Sequence, residues 1–315
     1  MQDQFQRKIE YLRVSVTDCC NLRCRYCMPA HGVKKLRHAD VLTYEEILRD
    51  VRALAALGVR KVRLTGGEPL VRRDITRLVR GLKEIPGIET VALTTNGVLL
   101  GTMMDELLDA GLDAVNLSLD TLDGGTFFSI TRRPMFGAVM EALTRLAEEE
   151  RLTVKVNCVP IMGVNDEELA ALAAIARTHP IDVRFIELMR MGECSKWPAE
   201  RFISADCVLK VLPELEAVGS NGVTELFQAP GWRGRVGLIR PMTHTFCCSC
   251  DRIRVTADGM LKPCLHSARE IPLRGLVGDE LVQVLRQGIS QKPEGHIMSL
   301  SHASESLRAM NKIGG

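Results

Sequence analysis

The sequence predicts an α/β fold: a partial (β/α)6 barrel, open on one side, with a smaller C-terminal region closing that side. Three observations carry this. Strand-like and helix-like segments alternate from residue 11 to about residue 190, and strands joined by helical crossovers make a parallel sheet. Six such units are too few for a closed eight-unit barrel. The residues with chemical potential collect at strand ends or in the loops that follow, where parallel α/β folds place their sites. The chain has 315 residues, 46% of them hydrophobic, enough for one barrel-sized core or two smaller ones.

The elements follow in order. Leu12 to Val16 reads as the first strand, and a cysteine-rich loop follows it. Thr43-Tyr44-Glu45-Glu46 is a capping box that opens a helix with Ile47, Leu48, Val51, Leu54 and Ala55 on one face, ended by Gly58. Val62-Arg63-Leu64 is the second strand, running into Gly66-Gly67-Glu68-Pro69, after which Asp74 caps a helix with Ile75, Leu78, Val79 and Leu82. Thr90–Thr94 is the third strand and Met104–Ala110 is helical. Ala114–Leu119 is the fourth strand, with its helix over Gly137–Glu150. Val154–Val159, a helix near Glu167–Arg177, and Val183–Glu187 complete the six units. After about residue 195 the alternation breaks down into short amphipathic pieces and the turn Ala229-Pro230-Gly231. The expected division is a core over residues 1–220 and a C-terminal region over 221–315.

Composition excludes several classes. Forty-one basic against 39 acidic side chains leave a net charge of +2, and only 4% of residues are aromatic, so a nucleic-acid partner is not expected. No apolar stretch approaches the roughly 18–20 residues of a membrane span, and the N-terminus lacks an apolar signal region. Eleven cysteines, an odd number, argue against a secreted disulfide framework and for metal-bound thiolates in a reducing cytoplasm.

The informative cysteines are Cys20, Cys24 and Cys27 in Asp18-Cys19-Cys20-Asn21-Leu22-Arg23-Cys24-Arg25-Tyr26-Cys27. Three thiolates hold three irons of a four-iron cluster and leave the fourth open to a small molecule; a fourth thiolate would leave electron transfer alone. The alternative is a zinc site or a buried thiol cluster, but structural zinc usually takes four ligands in paired units. This segment resembles the signature of the radical S-adenosylmethionine (SAM) enzymes. The resemblance implies that Gly67 binds the SAM amino group, Ser118 the carboxylate or ribose, and that Met189 and the Tyr26 backbone meet the adenine.

A second group is Cys247, Cys250 and Cys264, again three ligands and again followed by basic residues, Arg252-Ile253-Arg254. Doublets leave the register open at both groups: Cys19 could replace Cys20, and Cys248 could replace Cys247. The C-terminal segment resembles the GTP 3′,8-cyclase family of molybdenum cofactor biosynthesis, whose pattern favours Cys20 and Cys247. The resemblance implies two [4Fe-4S] clusters with SAM on the first, a radical SAM core domain over 1–220, and an auxiliary-cluster and GTP-binding region over 221–315.

A triphosphate needs fixed positive charge, and arginine forks match phosphate oxygens. Arg252 and Arg254 alternate along an expected strand and so share a face, while Arg13, Arg63 and Lys155 lie in strands whose alternation could aim them into the barrel. Salt bridging to Glu68, Asp120 or Glu187 is the bland alternative. The family resemblance adds Thr94 and Ile253 as nucleotide contacts. It also implies that the terminal Gly314-Gly315 reaches the active site. It further implies reduced flavodoxin or ferredoxin as electron donor, cyclic pyranopterin monophosphate synthase downstream, and allows a homodimer. A radical SAM peptide-modifying enzyme with an auxiliary cluster, or a non-enzymatic metal-binding redox module, are the rival expectations.

Overall fold

The fold is seen in a computed structural model that describes residues 1–314. The elements are β1 (Tyr11–Ser15), α1 (Tyr44–Ala56), β2 (Lys61–Thr65), α2 (Ile75–Lys83), β3 (Thr90–Thr95), α3 (Leu100–Asp109), β4 (Ala114–Ser118), α4 (Gly124–Thr131), α5 (Phe136–Glu148), β5 (Thr153–Cys158), α6 (Leu169–Thr178) and β6 (Asp182–Ile186). They continue with α7 (Cys207–Val211), β7 (Glu216–Asn221), β8 (Thr224–Gln228), β9 (Val236–Ile239), β10 (Arg252–Val255), β11 (Met260–Lys262), β12 (Ile271–Pro272), α8 (Gly278–Ser290) and α9 (Met310–Ile313).

All strands belong to one sheet, ordered β12-β11-β10-β1-β2-β3-β4-β5-β6-β9-β8-β7. The six expected strands are parallel neighbours in chain order. The C-terminal region does more than cover an open side. It adds β10 in parallel beside β1 and β9 in parallel beside β6, and each carries an antiparallel extension outward. The sheet remains open, with β12 and β7 at its ends.

Alternation sorts the strand residues into two populations. Leu12, Val14, Val62, Leu64, Val91, Leu93, Val115 and Leu117 are fully buried in the layer between sheet and helices. The opposite parity is polar, and register lines it up across strands: Tyr11 beside Lys61 and Arg252, Arg13 beside Arg63 and Arg254. Period two in the sequence therefore becomes an apolar outer wall and a charged inner one.

Helix α1 forms as its sequence indicates. Glu46 N donates to Thr43 Oγ1 at 3.1 Å, and Thr43 N to Glu46 Oε2 at 2.7 Å, a cap that contributes about 0.5–2 kcal/mol. Two expectations are corrected. Asp74 precedes α2, but in a left-handed conformation (φ 54°) whose carboxylate makes no capping bond; its backbone carbonyl accepts from Arg77 N instead. Between β4 and β5 there are two helices, not one. The added α4 is capped by Asp123, whose Oδ1 accepts from Thr126 N at 2.7 Å. Its Gly-Gly-Thr-Phe-Phe-Ser composition has weak helix propensity, so tertiary packing decides it.

Candidate functional site

The inner face of the sheet, the loops at its carboxyl end and the C-terminal segments enclose a cavity of about 500 Å³, within the range of ligand sites. Cys20, Cys24 and Cys27 line it, as do Cys247, Cys250 and Cys264. Cys19 does not line it, and Cys248 is exposed.

The first cysteine loop is held from three sides. Gly67 N donates to Thr17 O, and Glu68 N to Cys19 O, both at 2.8 Å. A Cβ on Gly67 would lie 2.3 Å from Cys19 O, so only glycine lets the end of β2 approach the loop this closely. The end of α4 supplies the second side, where Arg132 Nη1 donates to the carbonyls of Arg23 (3.0 Å) and Met28 (3.1 Å). On the third, Tyr26 Oη donates to Asp120 Oδ2 at 2.6 Å, while the Tyr26 carbonyl accepts from Cys194 Sγ at 3.0 Å.

Burial pushes the Cys20 thiol up to about 11, and Cys24 and Cys27 higher still; Asp120 and then Cys20 add to the shift at Cys24, and Cys24 adds to that at Cys27. Such thiols become good ligands when iron supplies the positive charge, since coordination deprotonates them. Among the described residues no three His, Cys, Asp or Glu side chains converge tightly enough to hold a single ion. Three free thiols lining one cavity fit a multi-iron cluster instead, and soft thiolates suit iron–sulfur centres.

The second triad is held by residues that sequence reading missed. Arg7 donates to the carbonyls of Cys247 (2.7 Å), Pro293 (2.6 Å) and Glu294 (2.9 Å), and is itself fixed by Asp3 at 2.6 Å. Lys292 Nζ donates to Arg252 O and Pro263 O at 2.8 and 2.7 Å. The Arg7 contacts span 240 residues or more and those of Lys292 span 29 and 40, so neither leaves a local signature that periodicity could reveal.

Arg13, Arg63, Lys155, Arg252 and Arg254 all line the cavity, joined by Tyr11, Lys61 and Arg184, which the sequence reading did not select. Their signal was present: Tyr11 and Lys61 lie two residues before Arg13 and Arg63 and so share their face. Three acids of the cavity, Glu68, Asp120 and Glu187, are engaged by hydroxyl and amide donors. Glu68 accepts from Thr95 Oγ1 and Asn96 N, both at 2.7 Å, and Asp120 from Tyr26 and from Val159 N at 2.8 Å. Glu187 accepts from Thr243 Oγ1 (2.5 Å) and Met242 N (2.9 Å). Burial and mutual repulsion destabilise the cationic forms. Lys155 comes down to about 8 through burial, Arg184 and Lys61; Arg184 to about 10 through burial and Arg63; Arg254 to about 10 through burial and Arg252. A row of buried like charges is what a bound polyanion relieves.

Gly67, Ser118, Met189, Tyr26 and Thr94 also line the cavity. Thr94 Oγ1, Asn116 Oδ1 and Asn157 Oδ1, on three adjacent strands, are buried without hydrogen-bond partners, as groups awaiting a ligand are. Ile253 has the other parity: its side chain is fully buried in the core and does not line the cavity. The C-terminal tail enters the barrel. Gly314, at φ 86°, has its carbonyl hydrogen-bonded by Arg254, and a Cβ there would lie 2.1 Å from Thr65 Oγ1. Gly315 lies outside the described residues.

Comparison with known proteins gives a consistent result. The radical SAM superfamily model matches residues 14–176, and the Molybdenum Cofactor Synthesis C model matches residues 181–298. The GTP 3′,8-cyclase of Alkaliphilus metalliredigens is 45% identical over 320 residues, covering 100% of both chains. That of Peptoclostridium acidaminophilum is 45% identical over 319 residues, covering 99% of this chain and 98% of the relative. Among solved structures, Streptococcus suis SuiB bound to its precursor peptide SuiA superposes with a TM-score of 0.64 at 15% identity, over 98% of this chain and 76% of that one. At that identity the likeness concerns the fold.

Proposed function

The chain belongs to the radical SAM superfamily and, within it, to the GTP 3′,8-cyclase family, and from that premise we propose how its residues divide the work of converting GTP to (8S)-3′,8-cyclo-7,8-dihydroguanosine 5′-triphosphate. The observation that carries this reading is two thiol triads lining one cavity with a cation-bearing strand face. The product enters molybdenum cofactor biosynthesis.

Two [4Fe-4S] clusters and SAM, when bound, supply the one-electron chemistry that removes hydrogen from C3′ of the GTP ribose and joins C3′ to C8 of guanine. Cys20, Cys24 and Cys27 hold the first cluster, and Cys247, Cys250 and Cys264 the second. Gly67, Ser118, Met189 and the Tyr26 backbone bind SAM. Arg13, Arg63, Lys155, Arg252 and Arg254 take the triphosphate, with Thr94 and the backbone at Ile253 as further contacts. Gly314 and Gly315 complete the site. Fixing the nucleotide so that C3′ faces the reacting carbon accounts for up to about 7–11 kcal/mol, and the surrounding wall excludes water and stray hydrogen donors.

We assign residues 1–220 to the SAM-cleaving core and 221–315 to the auxiliary cluster and nucleotide. The electron donor is reduced flavodoxin or ferredoxin, the consumer of the product is cyclic pyranopterin monophosphate synthase, and a homodimer is the proposed assembly. The eleven cysteines, all free thiols, fit a reducing cytoplasm; no helix of the described residues is long and apolar enough to cross a membrane. The test is one anaerobic reaction with GTP, SAM and dithionite followed by mass spectrometry. Cyclised nucleotide and 5′-deoxyadenosine are expected together; deoxyadenosine without nucleotide product would refute the substrate assignment.

A further inference from the structure

The cation-lined wall contains one group of opposite tendency, and the roles above leave it unused. Tyr11 stands on β1 in register with Lys61 on one side and Arg252 on the other. Lys61 Nζ lies 5.2 Å, and the Arg252 guanidinium carbon 5.4 Å, from its ring centroid. Arg63 Nε donates to its phenolic oxygen at 2.5 Å. Tyr11 is 9% exposed. Arg13 on the same strand, Arg254 on β10, and Arg184 on β6 add to the cationic surroundings, with Lys155 farther along the wall. Asp251 approaches Arg252 only to 3.9 Å.

Burial alone would make the phenol a weaker acid. Arg63, Arg13, Arg252 and Lys61 override that and bring the Tyr11 hydroxyl down to about 7, from an ordinary value of 10.0. The geometry gives the reason: the phenolic oxygen is in hydrogen-bond contact with the Arg63 guanidinium, and Lys61 and Arg252 lie over its ring, so three cations favour its anionic form.

We propose that Tyr11 is a resident counter-anion for Arg63, Lys61 and Arg252, and that an arriving triphosphate takes over the role while the phenolate picks up one proton from solvent. The inference rests on the reading that this wall binds the triphosphate. Tyr11 is a positioning residue: it keeps Arg63, Lys61 and Arg252 charged and in place before substrate arrives, and its neutral form removes a negative charge that would repel the bound phosphates.

The sign follows from linkage. Above pH 7 the empty site holds a phenolate, and bound anion restores the phenol, so binding consumes a proton. Below pH 7 the phenol is already neutral and contributes nothing. Lys155, near 8 in the empty site, also gains proton occupancy when an anion binds, and it does so whether or not Tyr11 is present. The terminal phosphate of GTP, with a pKa of about 6, is already ionised at pH 8.

The experiment is calorimetric titration of GTP onto the anaerobic, cluster-loaded enzyme at pH 8 and pH 6, in buffers of different ionisation enthalpy, for wild type and Tyr11→Phe. Wild type should take up measurably more proton per GTP bound than the variant at pH 8, and the excess should shrink toward nothing at pH 6. Iron content and EPR spectra should be the same in both. Should Tyr11→Phe not fold, Tyr11→Asp, whose carboxylate stays ionised at both pH values, replaces it with the same expected difference. Equal proton counts in wild type and variant at pH 8 would overturn the proposal. No GTP binding by wild type would instead overturn the triphosphate reading beneath it.

Discussion

Tyr26 Oη lies 2.6 Å from Asp120 Oδ2, so the first cysteine loop is tied to the carboxyl end of β4 by a hydroxyl placed between the second and third thiols. The other Asp120 oxygen accepts from Val159 N, which extends the tie to the end of β5. Asp120→Ala strands two buried donors, and a stability loss of about 2–4 kcal/mol is expected. Tyr26→Phe strands only one carboxylate oxygen and should cost about 1–2 kcal/mol. Denaturant unfolding of the two variants checks the order; a smaller loss for Asp120→Ala would refute the tie.

Gly67→Ala places a methyl 2.3 Å from Cys19 O. The strand end and the loop must then separate, and the first triad loses its spacing. Iron analysis after reconstitution should fall from about eight to about four atoms per chain, with 5′-deoxyadenosine formation abolished. Full iron loading would show that the loop tolerates the displacement.

The two triads should fail differently. Cys24→Ala should abolish SAM cleavage. Cys250→Ala should retain some SAM cleavage and lose the cyclised nucleotide, in keeping with the proposed role of the second triad in positioning substrate. Wild-type product formation by Cys250→Ala would remove that role.

Affinity for GTP should depend on pH through the cavity's own groups. Lys155 titrates near 8, so its charge is present below that pH and lost above it. GTP binding should weaken by up to about tenfold per pH unit above 8 on this account. Lys155→Arg keeps its charge and should flatten that part of the profile. An unchanged slope in the variant would exclude Lys155 as its source.

Removing Gly314 and Gly315 should leave both clusters and SAM cleavage intact while cyclisation is lost. Gly314→Ala, whose methyl would collide with Thr65, should act in the same direction. Full turnover by the shortened chain would reduce the tail to a packing element.

Much of the site was legible because it obeys short-range rules. The cysteine spacings, the strand-end glycines and the alternation of Arg252 and Arg254 are local, and the structure brings them to one cavity. The cations in strands were legible for a different reason: a buried charge on the inner parity needs an explanation, and the acids offered as partners turn out to be occupied by hydroxyl and amide donors. What was missed is what distance in sequence conceals. Arg7 reaches the second triad across 240 residues. Strands β9 and β10 are short and flanked by turns, so nothing local indicated that they would pair with β6 and β1. Helix α4 contradicts its own propensity and is held by its contact with the cysteine loop.

The placement of β9 and β10 has a consequence for biosynthesis. A nascent chain that has emerged only as far as β6 presents two naked sheet margins, one on β1 and one on β6. Their complements are translated 50 residues or more after β6. During that interval the growing polypeptide exposes paired-strand templates at both flanks, the condition under which sheets recruit foreign strands. Completing the last third of the molecule thus shields the first from misassembly as well as furnishing its second cysteine loop.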